Sequence, residues 1–248
     1  MKLYSESKEI IYSAQNKDPF FSYLSDKLIA PAKKKKQGRI LDLGCGSGRN
    51  VILAAKMGYD VIGVDISDKA LTVAREHAKD EKVADRVRLI RGDILKFKKG
   101  EFGLFDFCIV SEVIEHVQDY QKIIYFAYSS LKKGGYLLLS TPNDPGQWNK
   151  LDEYAEHVRR FHKSELRQAL GAFSEVEIFS VGFPMHRLIL SSYSLLLTML
   201  KKSHQPKTFR KDSLFPAIYN AVGKSFLMFD DFFNFTGWGT TLVAIAEK

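Results

Sequence analysis

Short, wholly apolar runs alternate with longer helical patterns through most of this chain. "RILDLG", "DVIGVD", "VRLIRGD", "FDFCIVSE" and "GYLLLSTP" are runs of about five or six residues rich in β-branched and apolar side chains, without the in–out alternation of a half-exposed strand. Such runs predict strands covered on both faces, as in parallel sheets. Between them, "NVILAAKMG", "SDKALTVAREHAKDE" and "EHVQDYQKIIYFAYSSLKKGG" have helical spacing, with Ser67 or Asp68 as a cap and Gly134 with Gly135 as a stop. An N-terminal helix is expected from about Glu6 to Leu28. Strands that alternate with helices make βαβ units, so the fold class is α/β, a doubly wound sheet with helices on both faces.

Beyond Gly135 the pattern changes. A polar connection, "EYAEHVRR", leads to a helix from about Lys163, then to strand-like "EVEIFSVGF" and a final strand "GTTLVAIAEK". More than fifty residues separate these last two strands. "RLILSSYSLLLTMLKK" gathers Ser191, Ser194 and Thr198 on one narrow face and surrounds them with Leu188, Ile189, Tyr193, Leu196, Leu197 and Leu200. "FPAIYNAVGKSFLMFDDFFNF" repeats Phe215, Ile218, Val222, Phe226, Phe229 and Phe233 at spacings of three and four. The expected organisation is an N-terminal helical segment (1–38), a core domain (39–184 and 238–248) and an apolar helical cap (185–237) inserted before the last strand.

The 248 residues are 45% hydrophobic, enough for a full core. "MKLYSESKEI" has charges where a secretory signal needs an apolar run, and no stretch reaches the length of a membrane span, so a cytoplasmic location is expected. Cys45 and Cys108 have neither the number nor the spacing of a disulfide framework or zinc site. Net charge is +8, concentrated in Lys33 to Lys36, Lys96 to Lys99, Lys132 with Lys133, and Lys207 to Lys211. That excess suits nucleic acid, an anionic membrane surface, or simply solvent.

The chemistry centres on "ILDLGCGSGRN", Ile40 to Asn50. A strand running into a glycine-rich turn and a helix lets a ligand touch backbone and meet free N–H donors. Gly44, Gly46 and Gly48 run G-x-G-x-G, one residue short of the dinucleotide fingerprint, which disfavours an NAD site. Asp42 would repel a pyrophosphate but suits a ligand with an ammonium group beside a carboxylate, the amino-acid end of S-adenosylmethionine. Asp65, closing the next strand, can accept both hydroxyls of an unphosphorylated ribose. Asp93, after a third strand, can accept from an adenine amino group. Three carboxylates at successive strand ends make the case together.

In order, "ILDLGCGSGRN", "VIGVDIS", "RGDI", "SEVIEHV" and "LKKGGYLLLSTPN" resemble the motifs of class I S-adenosylmethionine-dependent methyltransferases, in particular the ubiquinone-biosynthesis-type O-methyltransferase group. The resemblance covers roughly Arg39 to Ala172 and resumes at the final strand. It implies a Rossmann-like sheet of seven strands with the last antiparallel and the cofactor across the strand ends. By motif position Asp42, Gly44, Cys45, Gly46 and Gly48 would face the methionine part, Asp65 with Ile66 the ribose, Asp93 with Ile94 the adenine, and Ser111 with Glu112 the methyl group.

Methyl transfer needs a deprotonated nucleophile held in line with the methyl carbon, with a base matched to it. Glu112, His116 and His157 are the candidate catalytic residues. Glu112 with Glu115 or His116 converges if a helix begins at once, and Glu112, Glu115 and His116 then suit Mg2+ or another divalent cation, with His157 as a fourth ligand. The alternative is that Glu115 and His116 merely open the helix. His157, Arg159 and Phe161 alternate in a connection that overhangs the strand ends, making Arg159 a candidate clamp for an anionic group. The cap suits a lid over a small apolar acceptor, a peripheral membrane contact through Lys201, Lys202, Arg210 and Lys211, or a subunit interface. The sequence therefore points to O-methylation of a small hydrophobic or membrane-associated acceptor. An RNA-modifying methyltransferase, or a cofactor-binding module without catalysis, are the competing readings, and the oligomeric state stays open.

Overall fold

The computed structural model describes residues 18–35, 37–199, 223 and 225–248, apart from the side chains of residues 196 and 197. Seven strands form one sheet: β1 (Arg39–Leu43), β2 (Asp60–Asp65), β3 (Val87–Arg91), β4 (Phe105–Ser111), β5 (Leu131–Pro142), β6 (Glu175–Val181) and β7 (Thr241–Glu247). Their order is β3-β2-β1-β4-β5-β7-β6, and β7 runs antiparallel to both its neighbours while the pairs from β3 to β5 are parallel. The order reverses between β1 and β4, which opens a crevice at the carboxyl ends of those strands.

The helices are α1 (Pro19–Leu28), α2 (Ala30–Lys35), α3 (Arg49–Lys56), α4 (Asp68–Asp80), α5 (Tyr120–Ser130), α6 (Lys150–Ala155), α7 (Lys163–Ala169) and α8 (Met185–Met199). The both-face apolar character of the strands has a direct cause. In β4, Cys108 and Val110 join Leu41, Leu137 and Leu139 in a core under α5 and α7, whereas Phe107 and Ile109 join Ile40, Val61 and Val243 in a second core under α1, α3 and α4. Cys45 and Cys108 are free, buried thiols.

Several boundaries differ from the sequence reading. The N-terminal helix starts at Pro19, capped by Asp18, whose side chain accepts from the Phe20 N–H at 2.8 Å; the expected turns from Glu6 to Lys17 lie outside the described residues. Helix α5 begins at Tyr120 and ends at Ser130, before the glycine pair, because "LKKGG" is drawn into β5, where Leu131 pairs with Phe105 ahead of a register shift. Ser67 caps α4 as expected.

In the expected cap, the Ser191, Ser194 and Thr198 face does not share one environment: α8 buries Tyr193 and Ser194 and leaves Ser191 and Thr198 exposed along with Leu188, Leu195 and Met199. The Thr198 hydroxyl donates to the Ser194 carbonyl one turn back, which satisfies that hydroxyl within the helix. Phe229 is exposed where the periodicity predicted burial, and Leu227 and Asp230 are buried instead. Asp230 accepts from the backbone N–H of Met185 and His186 at 2.8 and 3.0 Å, capping the positive end of α8 from a distant segment. Phe215, Ile218, Val222, Leu200 and the basic residues from Lys201 to Lys211 lie outside the described residues. No helix among the described residues is long and apolar enough to cross a membrane.

Candidate active site

The glycine loop leaves β1 at the switch point. The Gly44 and Cys45 N–H groups donate to the Val64 carbonyl at 2.8 and 2.9 Å, folding the loop over the end of β2. Gly44 (φ +78°) and Gly48 (φ +83°) take backbone conformations that side chains disfavour, and neither has room for one. A Cβ on Gly44 would lie 2.5 Å from Val113 Cγ2, and one on Gly48 would lie 2.9 Å from Ala74 Cβ. Asp65 fixes the loop from beside it, accepting from Gly46 N–H through one oxygen and from Ser67 N–H through the other, both at 2.8 Å.

Two cavities flank this loop. The larger, about 410 Å³, is lined by Gly44, Cys45, Gly46, Asp65, Ser111 and Glu112 from the strand ends. Phe20, Phe21, Tyr154, His157, Arg160 and His186, from elsewhere in the chain, also line it. The smaller, about 100 Å³, is lined by Asp65, Ile66, Asp93, Ile94, Val113 and Val117 among others. Gly44, Asp65, Glu112 and His116 line both, so the two spaces meet there.

Eight of the ten residues expected to contact the cofactor thus border one or both cavities; Gly48, the cap of α3 packed against Ala74, does not. Asp42 does not: it lies under the loop, 1% exposed, with Oδ2 lacking any hydrogen-bond partner. Burial, and then Asp65 nearby, push its carboxyl up to about 8, against Arg49. Asp93 also caps the short turn Ile94–Lys96, accepting from Leu95 N–H at 3.0 Å.

Arg49, unnoticed in the sequence, is the first residue of α3 and lies over the Phe21 ring at 4.7 Å. Its Nε is buried and unpartnered, and burial lowers its guanidinium to about 10 against the pull of Asp18, Glu112 and Asp42. A buried cation with an idle donor at the cavity wall suits the carboxylate of an amino-acid tail.

"SEVIEHV" does not begin a helix. Glu112 takes a left-handed conformation (φ +55°), and Ile114–His116 form a single 3-10 turn, so no i, i+4 face exists to bring Glu112 over His116. Instead, Val158 N–H donates to the Glu115 carbonyl at 2.9 Å, tying the later connection to this turn. That tie sets the His116 and His157 rings 4.8 Å apart. The side chains of Glu115, His116 and His157 bring ligand atoms within 4.8 Å of one another; Glu112, expected as a ligand, is not in this group. Glu115 is fully buried, accepts from Thr141 Oγ1 at 3.1 Å and leaves Oε1 without a hydrogen bond. Burial and then Glu112 push the Glu115 carboxyl well up, and burial likewise raises Glu112 despite its bond from Ser140. Ser111 and Ser140 share a hydroxyl hydrogen bond of 2.9 Å at the ends of β4 and β5.

The expected alternation of His157, Arg159 and Phe161 fails because Glu156 is left-handed (φ +60°) and Phe161 is bridged to Asn143. Arg159 turns away, donating to Gln118 Oε1 at 2.7 Å and lying over Tyr120, and Arg160 faces the cavity in its place. His186 stacks on Phe20 at 3.6 Å and shares a 3.0 Å hydrogen bond with the Thr240 hydroxyl through Nδ1. Burial lowers its imidazole to about 3, so it is neutral. These residues come from α1, α6, α8 and the start of β7, and no short-range signal joins them.

The methyltransferase-domain family matches residues 17–173. The chain is 34% identical over 105 residues to a ubiquinone biosynthesis O-methyltransferase of Acinetobacter baylyi, 42% of this chain and 44% of that protein. A protein of the same name from Pelagibacter ubique is 33% identical over 117 residues, 47% of each chain. The matched stretch thus spans under half the length of these curated relatives. Among solved structures, a phosphoethanolamine N-methyltransferase 2 of Haemonchus contortus in complex with S-adenosyl-L-methionine shares the fold at TM-score 0.57 and 20% identity, over 93% of this chain and 57% of that one. A SAM-dependent methyltransferase from Archaeoglobus fulgidus aligns at TM-score 0.56 and 18% identity, over 92% and 94% of the two chains. With the glycine loop, the 3-2-1-4-5-7-6 sheet and the family match agreeing, the chain belongs to the methyltransferase-domain family and has the class I S-adenosylmethionine-dependent fold.

Proposed function

We propose that the chain transfers the methyl group of S-adenosylmethionine to a hydroxyl oxygen on a small, largely apolar acceptor. The observation that carries this reading is the meeting of the two cavities at Gly44, Asp65, Glu112 and His116, with carboxylates and aromatic side chains both in their lining. The orphaned Arg49 Nε and the loop with no room for Cβ atoms fit the cofactor. When bound it supplies an electrophilic methyl with a neutral leaving group.

Asp65, Ile66, Asp93 and Ile94 would hold the nucleoside, and Gly44 to Gly48 with Arg49 the amino-acid end. Phe20, Phe21, Tyr154 and Leu190 offer faces for the apolar body of the acceptor. His157 lines the larger cavity beside His116 and takes the hydroxyl proton as the oxygen becomes nucleophilic. The names of the curated relatives support an oxygen acceptor. The exposed side chains of Leu188, Met228, Phe232, Phe235 and Trp238 support an acceptor drawn from a membrane surface.

A second reading rests on Glu115, His116 and His157: two imidazoles and a buried carboxylate gathered within 4.8 Å suit a divalent cation that acidifies the hydroxyl. Labelled-methyl transfer into lipid, RNA, protein and small-molecule fractions of a cell extract tests the proposal. Label in a lipid or small-molecule phenol supports it, and label confined to RNA or to nitrogen overturns it. Full activity in excess chelator rejects the cation.

A further inference from the structure

We propose that Asp152 is a positioning residue of this site, fixing the orientation and tautomer of His157 so that its second ring nitrogen presents a lone pair to the acceptor. The inference rests on the reading of His157 as the proton acceptor above. Asp152 is 1% exposed, in the first turn of α6, where an acid would ordinarily serve only the helix. It does serve the helix: its Oδ2 accepts from Asn149 N–H at 2.8 Å, closing a capping box.

Its other oxygen is committed elsewhere. Oδ1 takes His157 Nδ1 at 2.9 Å and Arg160 Nε at 2.8 Å. Arg160 is locked in turn by donating to the Asn143 carbonyl at 3.0 Å. The backbone repeats the link, with His157 N–H donating to the Asp152 carbonyl at 3.0 Å.

With Arg160 Nε donating to one oxygen and Asn149 N–H to the other, Asp152 stands as an acceptor on both, so His157 Nδ1 carries the hydrogen and the far nitrogen is bare. A capping acid alone would need neither the arginine nor the imidazole. The arrangement holds a base in one tautomer in the way that buried acids orient imidazoles in other active sites.

Asparagine at 152 cannot reproduce this. With its oxygen toward His157 and Arg160 its amide hydrogens face the Asn149 N–H, and turned over, its donor meets Arg160 Nε and favours the opposite imidazole tautomer. The test is 15N-histidine NMR on the full chain together with steady-state kinetics. In the native chain His157 should show a protonated Nδ1 and a bare Nε2. Asp152→Asn should lower kcat on the order of 10²- to 10⁴-fold, with S-adenosylhomocysteine affinity within about threefold, and Asp152→Ala, which leaves Nδ1 without its acceptor, should move the hydrogen toward Nε2. Asp152→Glu, which retains an acceptor-only group, should recover part of kcat and the native tautomer.

A native His157 protonated on Nε2 overturns the proposal without any variant. So does an Asp152→Ala chain whose tautomer is unchanged, or an Asp152→Asn chain whose kcat falls only in step with cofactor affinity and melting temperature. If His157→Gln leaves kcat intact, the base reading fails separately, while the NMR readout still decides what Asp152 does to the ring.

Discussion

Acidification should destabilise this protein through His186, and the structure sets the size of the effect. The imidazole is 6% exposed, stacked on Phe20 and bonded to Thr240, and burial moves it from 6.5 in the unfolded chain to about 3. Its folded value lies below its unfolded value, so the unfolded chain takes the proton first. Stability is therefore intact above about pH 6.5 and drains away as pH falls toward 3. With those two values, lowering pH from 7 to 5 removes about 2 kcal/mol, out of a limit near 5 kcal/mol once both states are charged. Asp230, which burial raises despite its bonds from Met185 and His186, works in the opposite direction, so the native curve alone does not isolate the histidine. Comparison with His186→Gln, which leaves Asp230 in place, does. Urea unfolding at pH 7 and pH 5 should show the native midpoint falling about 1 M further than that of the variant, for a slope of about 2 kcal/mol/M. Equal shifts in the two chains would mean that His186 carries its charge in the folded state.

Gly44→Ala must accommodate a methyl 2.5 Å from Val113 Cγ2 at φ +78°, costing about 2–4 kcal/mol in all and measurable by chemical unfolding; adding Val113→Ala should return the packing part and leave about 1 kcal/mol of backbone strain. No gain from the second substitution would refute the contact. Arg49→Gln should weaken S-adenosylhomocysteine binding roughly 10- to 100-fold by calorimetry, the loss expected for one charged hydrogen-bonding partner, and unchanged affinity would remove Arg49 from the cofactor tail.

The parts of this protein that could be read in one dimension are those set by near neighbours. Both-face apolar runs predicted the parallel strands because a sheet with helices on each side imposes that pattern on every strand, as β4 illustrates. The glycine loop and the carboxylates at strand ends were visible because sheet topology brings successive strand ends together whatever lies between. The acceptor wall was not visible. Phe20 and His186 stack although more than 160 residues apart, and the exchange of Arg159 for Arg160 turns on one left-handed residue, Glu156. Glu112 misled for the same reason: a positive φ at a glutamate cannot be read from E-x-x-E-H spacing, yet it converts an expected helix face into a 3-10 turn. Asp152 gave no signal in the sequence, because its partners lie five and eight residues downstream and reach it only through the bend after α6.

Every role proposed for this site follows from a sulfonium nucleoside lying across Gly44, Asp65 and Asp93. Calorimetric titration of the native chain and of Asp65→Ala with S-adenosylhomocysteine tests it most directly, with NAD as the comparison ligand. One molecule bound per chain, abolished by the substitution and not matched by NAD, is the predicted result. Silence with S-adenosylhomocysteine, full affinity in Asp65→Ala, or tighter binding of NAD would contradict it.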